Sequence, residues 1–98
     1  MCIRKMMNFI FTALLRDKQL DPEDQDYEFP VCFIIEASNE NKALSWGNDV
    51  TFEHCINNPE HELVNTVVES SGNYPLHVLD TLPKIKFGFM PTGEYIGW

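Results

Sequence analysis

The order of apolar and polar residues predicts a β-sheet covered by one amphipathic helix. Residues 29–35 are almost continuously β-branched or aromatic, as is typical of a strand buried on both faces. Helical spacing starts directly after Ser38 and Asn39, either of which can cap a helix. We therefore expect a central strand that leads into a covering helix.

The spacing within the predicted helix defines its two sides. Seven residues gather on the side that we expect to face the core: Ala43, Leu44, Gly47, Val50, Thr51, His54 and Cys55. Phe52 and Ile56 fall on the opposite side, where neighbouring loops cover them or they form an exposed apolar patch. We expect them to be covered. Pro59 ends the helix, because proline disfavours helical geometry in the residue before it.

The remaining apolar runs predict further strands. Residues 7–16 are the first candidate strand, although their length also allows a helix. Residues 63–69 form another strand, and residues 74–82 are weakly extended. Residues 84–89 alternate, which predicts a strand with Ile85, Phe87 and Phe89 facing inward. Residues 94–98 are predicted to return as a short edge strand. The fold class is therefore α+β: a four- or five-stranded, mostly antiparallel sheet with one main helix packed on one face, in a single domain of 98 residues.

The N-terminal segment and the cysteines indicate the cellular compartment of the protein. MCIRK and the apolar run after it have the order of a signal peptide, but RDKQ follows at once without a small-residue cleavage site. The run is also too short to span a bilayer, so we expect a strand. Cys2, Cys32 and Cys55 form no CxxC pair, which is typical of a reducing compartment. We expect a cytoplasmic protein.

Charge is the most distinctive feature of the composition. The net charge is −8, and residues 17–69 hold thirteen acidic side chains against Lys18 and Lys42. Binding to nucleic acid or to an anionic membrane needs basic patches, so both are disfavoured as partners. An acidic surface instead attracts basic proteins. We expect a basic protein partner.

No motif predicts catalysis or a cofactor. His54 and Cys55 are neighbours on a helix, so their side chains diverge by about 100° and form no ready Cys–His pair. The other possible metal ligands, His61 and His77, show no metal-binding spacing with them. We therefore expect a protein that is not an enzyme and has no metal or cofactor. The alternative is a small enzyme or ligand-binding domain with a pocket between helix and sheet, near Glu36, His54 and Glu69.

Two resemblances add to this interpretation. The stretch FPVCFIIEASNENKALSWGNDV resembles a strand–helix pattern of small bacterial proteins of unassigned role, in which a Glu-Ala strand end precedes a capped helix. In size, acidity and lack of a recognisable active site, the chain is similar to bacterial immunity proteins, which neutralise a cognate toxin, often a basic nuclease. This resemblance implies that acidic residues contact the toxin. The candidate contacts are Asp21, Glu23, Asp24, Asp26, Glu28, Asp49 and Glu53.

The aromatic C-terminal residues leave one further alternative. Phe89, Tyr95 and Trp98 lie in a stretch with little charge. Aromatic side chains of this kind are enriched at the centres of protein interfaces, although they also complete the edge of a small core. A homo-oligomer that pairs through this edge is therefore a third hypothesis, and the sequence leaves the oligomeric state open.

Overall fold

The computed structural model describes residues 6–98 and has the α+β architecture that the sequence predicts. The strands are β1 (Met7–Asp17), β2 (Glu28–Ala37), β3 (His61–Ser70) and β4 (Lys84–Lys86). The helices are α1 (Glu40–Asn57), α2 (Leu76–Leu79) and α3 (Gly93–Ile96), and a 3₁₀ turn covers Ser71–Asn73. Among residues 6–98, none of the helices has both the length and the apolar character needed to cross a bilayer.

The sheet has the order β3-β1-β2-β4. Strand β1 pairs antiparallel with both β2 and β3, whereas β4 runs parallel to β2. The register between β1 and β3 shifts between Leu14 and Leu15. The extra residue on β3 is Val64, because Leu14 lies opposite Asn65 and Leu15 lies opposite Leu63. This bulge lets Leu63 pack against the core.

The main core lies between α1 and one face of the sheet. Alternate residues of β1 and β2 point into it, as period-two alternation requires: Phe9, Phe11, Ala13, Leu15, Val31, Phe33, Ile35 and Ala37. The rings of Phe11 and Phe33 are tilted with centroids 5.1 Å apart. The other face is covered at one end only, where Ile10 and Ile34 are buried. At the other end of this face Leu14 and Cys32 are only half-buried.

Helix α1 follows the predicted pattern closely. Asn39 is its N-cap, and its side-chain oxygen accepts a hydrogen bond from the Lys42 amide at 2.9 Å. Five of the seven residues predicted for its core face are buried, and Leu44 and Cys55 are half-buried. The buried Thr51 hydroxyl donates to the Gly47 carbonyl at 2.8 Å, so it has a partner inside the helix.

The predictions for residues 74–98 are largely wrong. Strand β4 stops at Lys86, because Gly88 adopts a φ of 90° and the Phe89 amide turns back to the Lys86 carbonyl. Ile85 is buried as expected, but Phe87 and Phe89 are 44% and 57% exposed. Two short helices replace the predicted extended segments. One starts after Pro75, and the other is capped by the Thr92 hydroxyl, which accepts from the Tyr95 amide.

Candidate functional site

Three parts of the fold meet at one end of the molecule. The β1–β2 loop, the start of β3 and the last turn of α1 come together there, because α1 runs back along the sheet from the far end of β2. The Lys18 amide donates to the Glu60 carbonyl at 2.8 Å, and His54 of α1 contacts His61 of β3. The nine carboxylates of this acidic end are Asp17, Asp21, Glu23, Asp24, Asp26, Glu28, Glu53, Glu60 and Glu62. Its only Lys or Arg residues in the described chain are Arg16 and Lys18.

The β1–β2 loop is folded by its own aspartates. Asp17, Asp21 and Asp24 each accept a hydrogen bond through Oδ1 from the amide two residues later, at 2.8–3.0 Å. Such Asx turns are a common reason for aspartate in tight loops. Asp21 and Asp24, both predicted contacts, therefore also have a local structural role. Their side chains are nevertheless exposed.

Arg16 neutralises part of the acidic end. Its guanidinium is 3.0 Å from a Glu28 oxygen and 3.2 Å from a Glu62 oxygen, and it lies 5.5 Å from the centroid of the Tyr27 ring. The hydrogen bond with Glu28 raises the pKa of Arg16, so this residue stays charged. Glu28 is therefore already paired. Within the described chain, the carboxylates of Glu23, Asp26 and Glu53 accept no hydrogen bond and form no ion pair, although the Glu23 and Asp26 amides donate to the Asp21 and Asp24 side chains.

Asp49 lies apart from the acidic end. It is eight residues before the end of α1, or about 12 Å along the helix axis. Glu53, one turn later on α1, belongs to the acidic end and is exposed like Asp49. Six of the seven predicted contacts therefore share one end of the molecule, and Asp49 extends the acidic surface along the helix.

The outward side of α1 carries an exposed apolar patch, Phe52 and Ile56. These side chains are 56% and 73% exposed, so the expectation that loops cover them is wrong. They are four residues apart, which places them next to each other on the helix surface. Ile56 lies in the last turn, beside the acidic end, and Asp49 is on the same side of the helix as Phe52. The patch thus combines apolar side chains with neighbouring carboxylates.

A histidine pair lies below this surface. His54 Nε2 is 2.7 Å from His61 Nδ1, and Asn58 Nδ2 lies 3.2 Å from His54 Nδ1. The Trp98 ring stacks on His54 with centroids 4.2 Å apart. Burial, and secondarily the neighbouring His61, lowers the pKa of His54, whereas Glu60 acts in the opposite direction. His54 is therefore held neutral within the aromatic stack.

The pair has no features of a metal or nucleophile site in the described residues. Within residues 6–98, no third His, Cys, Asp or Glu joins the two histidines in a metal-binding group. Cys55 points elsewhere, and burial raises the pKa of its thiol, which makes it a poorer nucleophile. His77 lies far along the chain on α2. We interpret the pair as a packing and hydrogen-bonding element.

The alternative pocket near Glu36, His54 and Glu69 is not formed. Glu36 lies opposite Asn8 in the sheet register, and Glu69 lies opposite Ile10. Both therefore face away from α1, whereas His54 points from α1 toward the face of the sheet that α1 covers. Glu36 pairs instead with Lys84 at 3.8 Å, and Glu69 accepts a hydrogen bond from the Tyr74 hydroxyl, which raises the pKa of Tyr74.

Comparisons with known proteins do not identify this arrangement. No protein-family model matches the chain, and neither the curated proteins nor the solved structures contain a match. The functional inference therefore depends on the surface itself.

Proposed function

We propose that this chain is a binding protein that docks a basic protein partner through its acidic end. One observation carries the proposal: nine carboxylates and two cations are collected at one end, next to an exposed apolar pair on α1. Charge complementarity of this kind speeds association and excludes wrong partners. A few apolar anchors supply most of the affinity.

Each part of the surface has a distinct role in this proposal. Phe52 and Ile56 enter an apolar depression of the partner, where they lose their contact with water. Glu23, Asp26 and Glu53 pair with lysine or arginine side chains around it, since they have no partner within the described chain. Asp21, Asp24 and Glu28 contribute mainly to the long-range field, because each already holds a local hydrogen bond or ion pair.

The most specific form of the proposal is a bacterial immunity or antitoxin-type protein. In this form the partner is a basic toxin, such as a nuclease, and the acidic end blocks the basic surface that its substrate needs. The support is the acidity, the small size and the exposed position of the acidic end. A nuclease must attract phosphates with basic residues, so a carboxylate-rich surface is a suitable competitor.

Partner capture is the first test. The full chain is used as bait in extract from its own cells, with washes at about 0.05 M and about 0.5 M salt. We expect one basic protein to be retained at low salt and weakened at high salt. Retention that is insensitive to salt would contradict an electrostatic interface, and so would capture of acidic proteins alone.

Matched variants then locate the interface on the purified partner. We expect Phe52→Ala with Ile56→Ala to weaken binding about thirtyfold, as for interface hot spots. Val67→Ala with Leu76→Ala is the control, because these side chains are 49% and 77% exposed but lie away from α1. Unchanged binding by the first variant would refute the proposed anchors.

The charges are tested in the same way. Glu23→Gln with Glu53→Gln is expected to slow association and to reduce its salt dependence. Glu40→Gln with Glu94→Gln removes the same charge from exposed positions outside the acidic end and should change association less.

For the immunity form, the partner expressed alone should stop growth, and co-expression of the unaltered chain should restore it. A partner that is harmless alone would exclude the immunity form while leaving the binding role intact.

A further inference from the structure

A second surface, chemically unlike the acidic end, lies along the free edge of β4. A pocket of about 500 Å³ opens there between β4 and the C-terminal segment. This volume is within the range of small-molecule sites, about 300–1,000 Å³. The residues that matter for the argument are Lys84, Lys86, Phe89, Met90, Thr92 and Tyr95.

Hydrogen bonds hold the walls of this pocket in place. The Tyr95 hydroxyl donates to the Lys84 carbonyl at 2.9 Å, which ties α3 to the edge of β4. The indole of Trp46 donates to the Phe89 carbonyl at 2.9 Å, which ties the turn after β4 to α1. The Phe89 amide donates to the Lys86 carbonyl at 2.9 Å. The pocket is therefore built by three separate elements and preformed, as ligand sites usually are.

The lining has one sign of charge. It contains two lysines and no carboxylate, in a chain with a net charge of −8. Lys84 forms an ion pair with Glu36 at 3.8 Å, whereas Lys86 forms none within the described residues. An anion that approaches this protein is repelled by the acidic end and attracted by these lysines.

Three further lining side chains offer apolar surface that is open to solvent. Phe89 is 57% exposed, Tyr95 is 52% exposed and Met90 is 42% exposed. Aromatic rings and a flexible thioether offer a contact surface for a flat or short-chain apolar group. Thr92 adds a hydroxyl, although its oxygen already accepts the Tyr95 amide.

We propose that this pocket binds a small amphiphilic anion, with an aromatic or short aliphatic body and one carboxylate, sulfonate or phosphate group. The body lies against Phe89, Met90 and Tyr95, and the anionic group pairs with Lys86 and, by displacing Glu36, with Lys84. The proposal is independent of the acidic end and of the protein partner, because the two surfaces share no residue.

The test uses two probes that differ in one group. Anilinonaphthalene sulfonate has an apolar body and an anionic group, and phenylnaphthylamine has the same rings without the sulfonate. We expect the sulfonate to bind with one site per chain and to shift the amide NMR signals of Lys86, Phe89 and Tyr95. The neutral probe should bind about tenfold more weakly.

Lysine variants decide whether the charge matters. Lys84→Gln with Lys86→Gln should weaken sulfonate binding about tenfold and leave the neutral probe unchanged. Lys18→Gln, an exposed lysine at the acidic end, is the control and should change neither. Lys86→Gln alone is the second variant if the double substitution alters the fold, and it should weaken sulfonate binding in the same direction. Equal binding of both probes, equal binding by the lysine variants, or NMR shifts confined to Phe52 and Ile56 would each overturn the proposal.

Discussion

Gly47 determines how closely α1 approaches the sheet. A β-carbon built on Gly47 would overlap the ring of Phe11, which is fully buried in the centre of β1. Ala43, one turn earlier on the same side, is also small and has no exposed surface. Two small residues on one side of α1 thus leave room for the Phe11 and Phe33 rings below them.

Substitution of Gly47 tests this close approach. We expect Gly47→Ala to lower the free energy of unfolding by about 1–3 kcal/mol, because overpacking outweighs the higher helix propensity of alanine. Urea denaturation measures the change. Gly72→Ala is the matched control, since its β-carbon would meet only the Ser70 hydroxyl at 3.7 Å and should change the free energy by less than about 0.5 kcal/mol. A Gly47→Ala protein as stable as the original would show that α1 can move away from Phe11 without cost.

Protonation of His54 makes the free energy of unfolding depend on pH. Its pKa is lowered by burial and then by His61, although Glu60 opposes the shift. The ordinary pKa is 6.5, so the unfolded chain takes up this proton at a higher pH than the folded chain does. The contribution of neutral His54 is therefore complete above pH 6.5 and declines as the pH falls through 6.5 toward the lower pKa of the folded state.

The corresponding measurement compares the free energy of unfolding at about pH 7.5 with that at about pH 5.5, one unit below the ordinary pKa of 6.5. We expect His54→Gln to lose less stability over this interval than the unaltered chain, whatever its absolute stability. His77→Gln replaces an exposed histidine on α2 and should keep the original pH dependence. The same pH dependence in all three proteins would mean that His54 protonation does not limit the fold.

At the scale of elements, predictability follows the length of the pattern. Strands β1 to β3 and helix α1 are 10 to 18 residues long, so their periodicity is repeated several times and identifies them. The elements after β3 have three or four residues each, too few for any period to appear. There, single residues decide: Gly88 ends β4, and Thr92 and Gly97 cap α3. In the sequence, only such capping residues indicate the short helix α3.

The candidate surfaces differ in the same way. The acids of the β1–β2 loop are adjacent in sequence, so their grouping was predictable. The exposure of Phe52 and Ile56 was not, because it depends on where the loops of residues 6–98 run relative to the outer side of α1. The pairing of His54 with His61 and the pocket beside Lys86 depend on where β3 and α3 pack. Sequence spacing alone does not determine such tertiary placement.

At the scale of the whole molecule, the charge distribution opposes folding. The acidic end holds nine carboxylates and two cations, and like charges at this density repel one another in the compact state. The Arg16 ion pairs with Glu28 and Glu62 are exposed, and such pairs contribute little, about 0–1 kcal/mol. Under the proposed function, a basic partner that binds the acidic end neutralises this repulsion.

Salt and charge removal together test this argument. At 0.1 M, NaCl largely screens the repulsion between exposed charges that are more than about 10 Å apart, so we expect the melting temperature to rise between about 0.02 M and about 0.3 M salt. Glu23→Gln with Glu53→Gln should raise the melting temperature at low salt and reduce the further gain from salt, because both carboxylates lie in the crowded acidic end. Glu40→Gln with Glu94→Gln should not raise it, since Glu40 stabilises the first turn of α1 through the helix dipole. If neutralising Glu23 and Glu53 instead lowered the melting temperature, these carboxylates would be stabilising the fold, and their exposure would no longer argue for a partner.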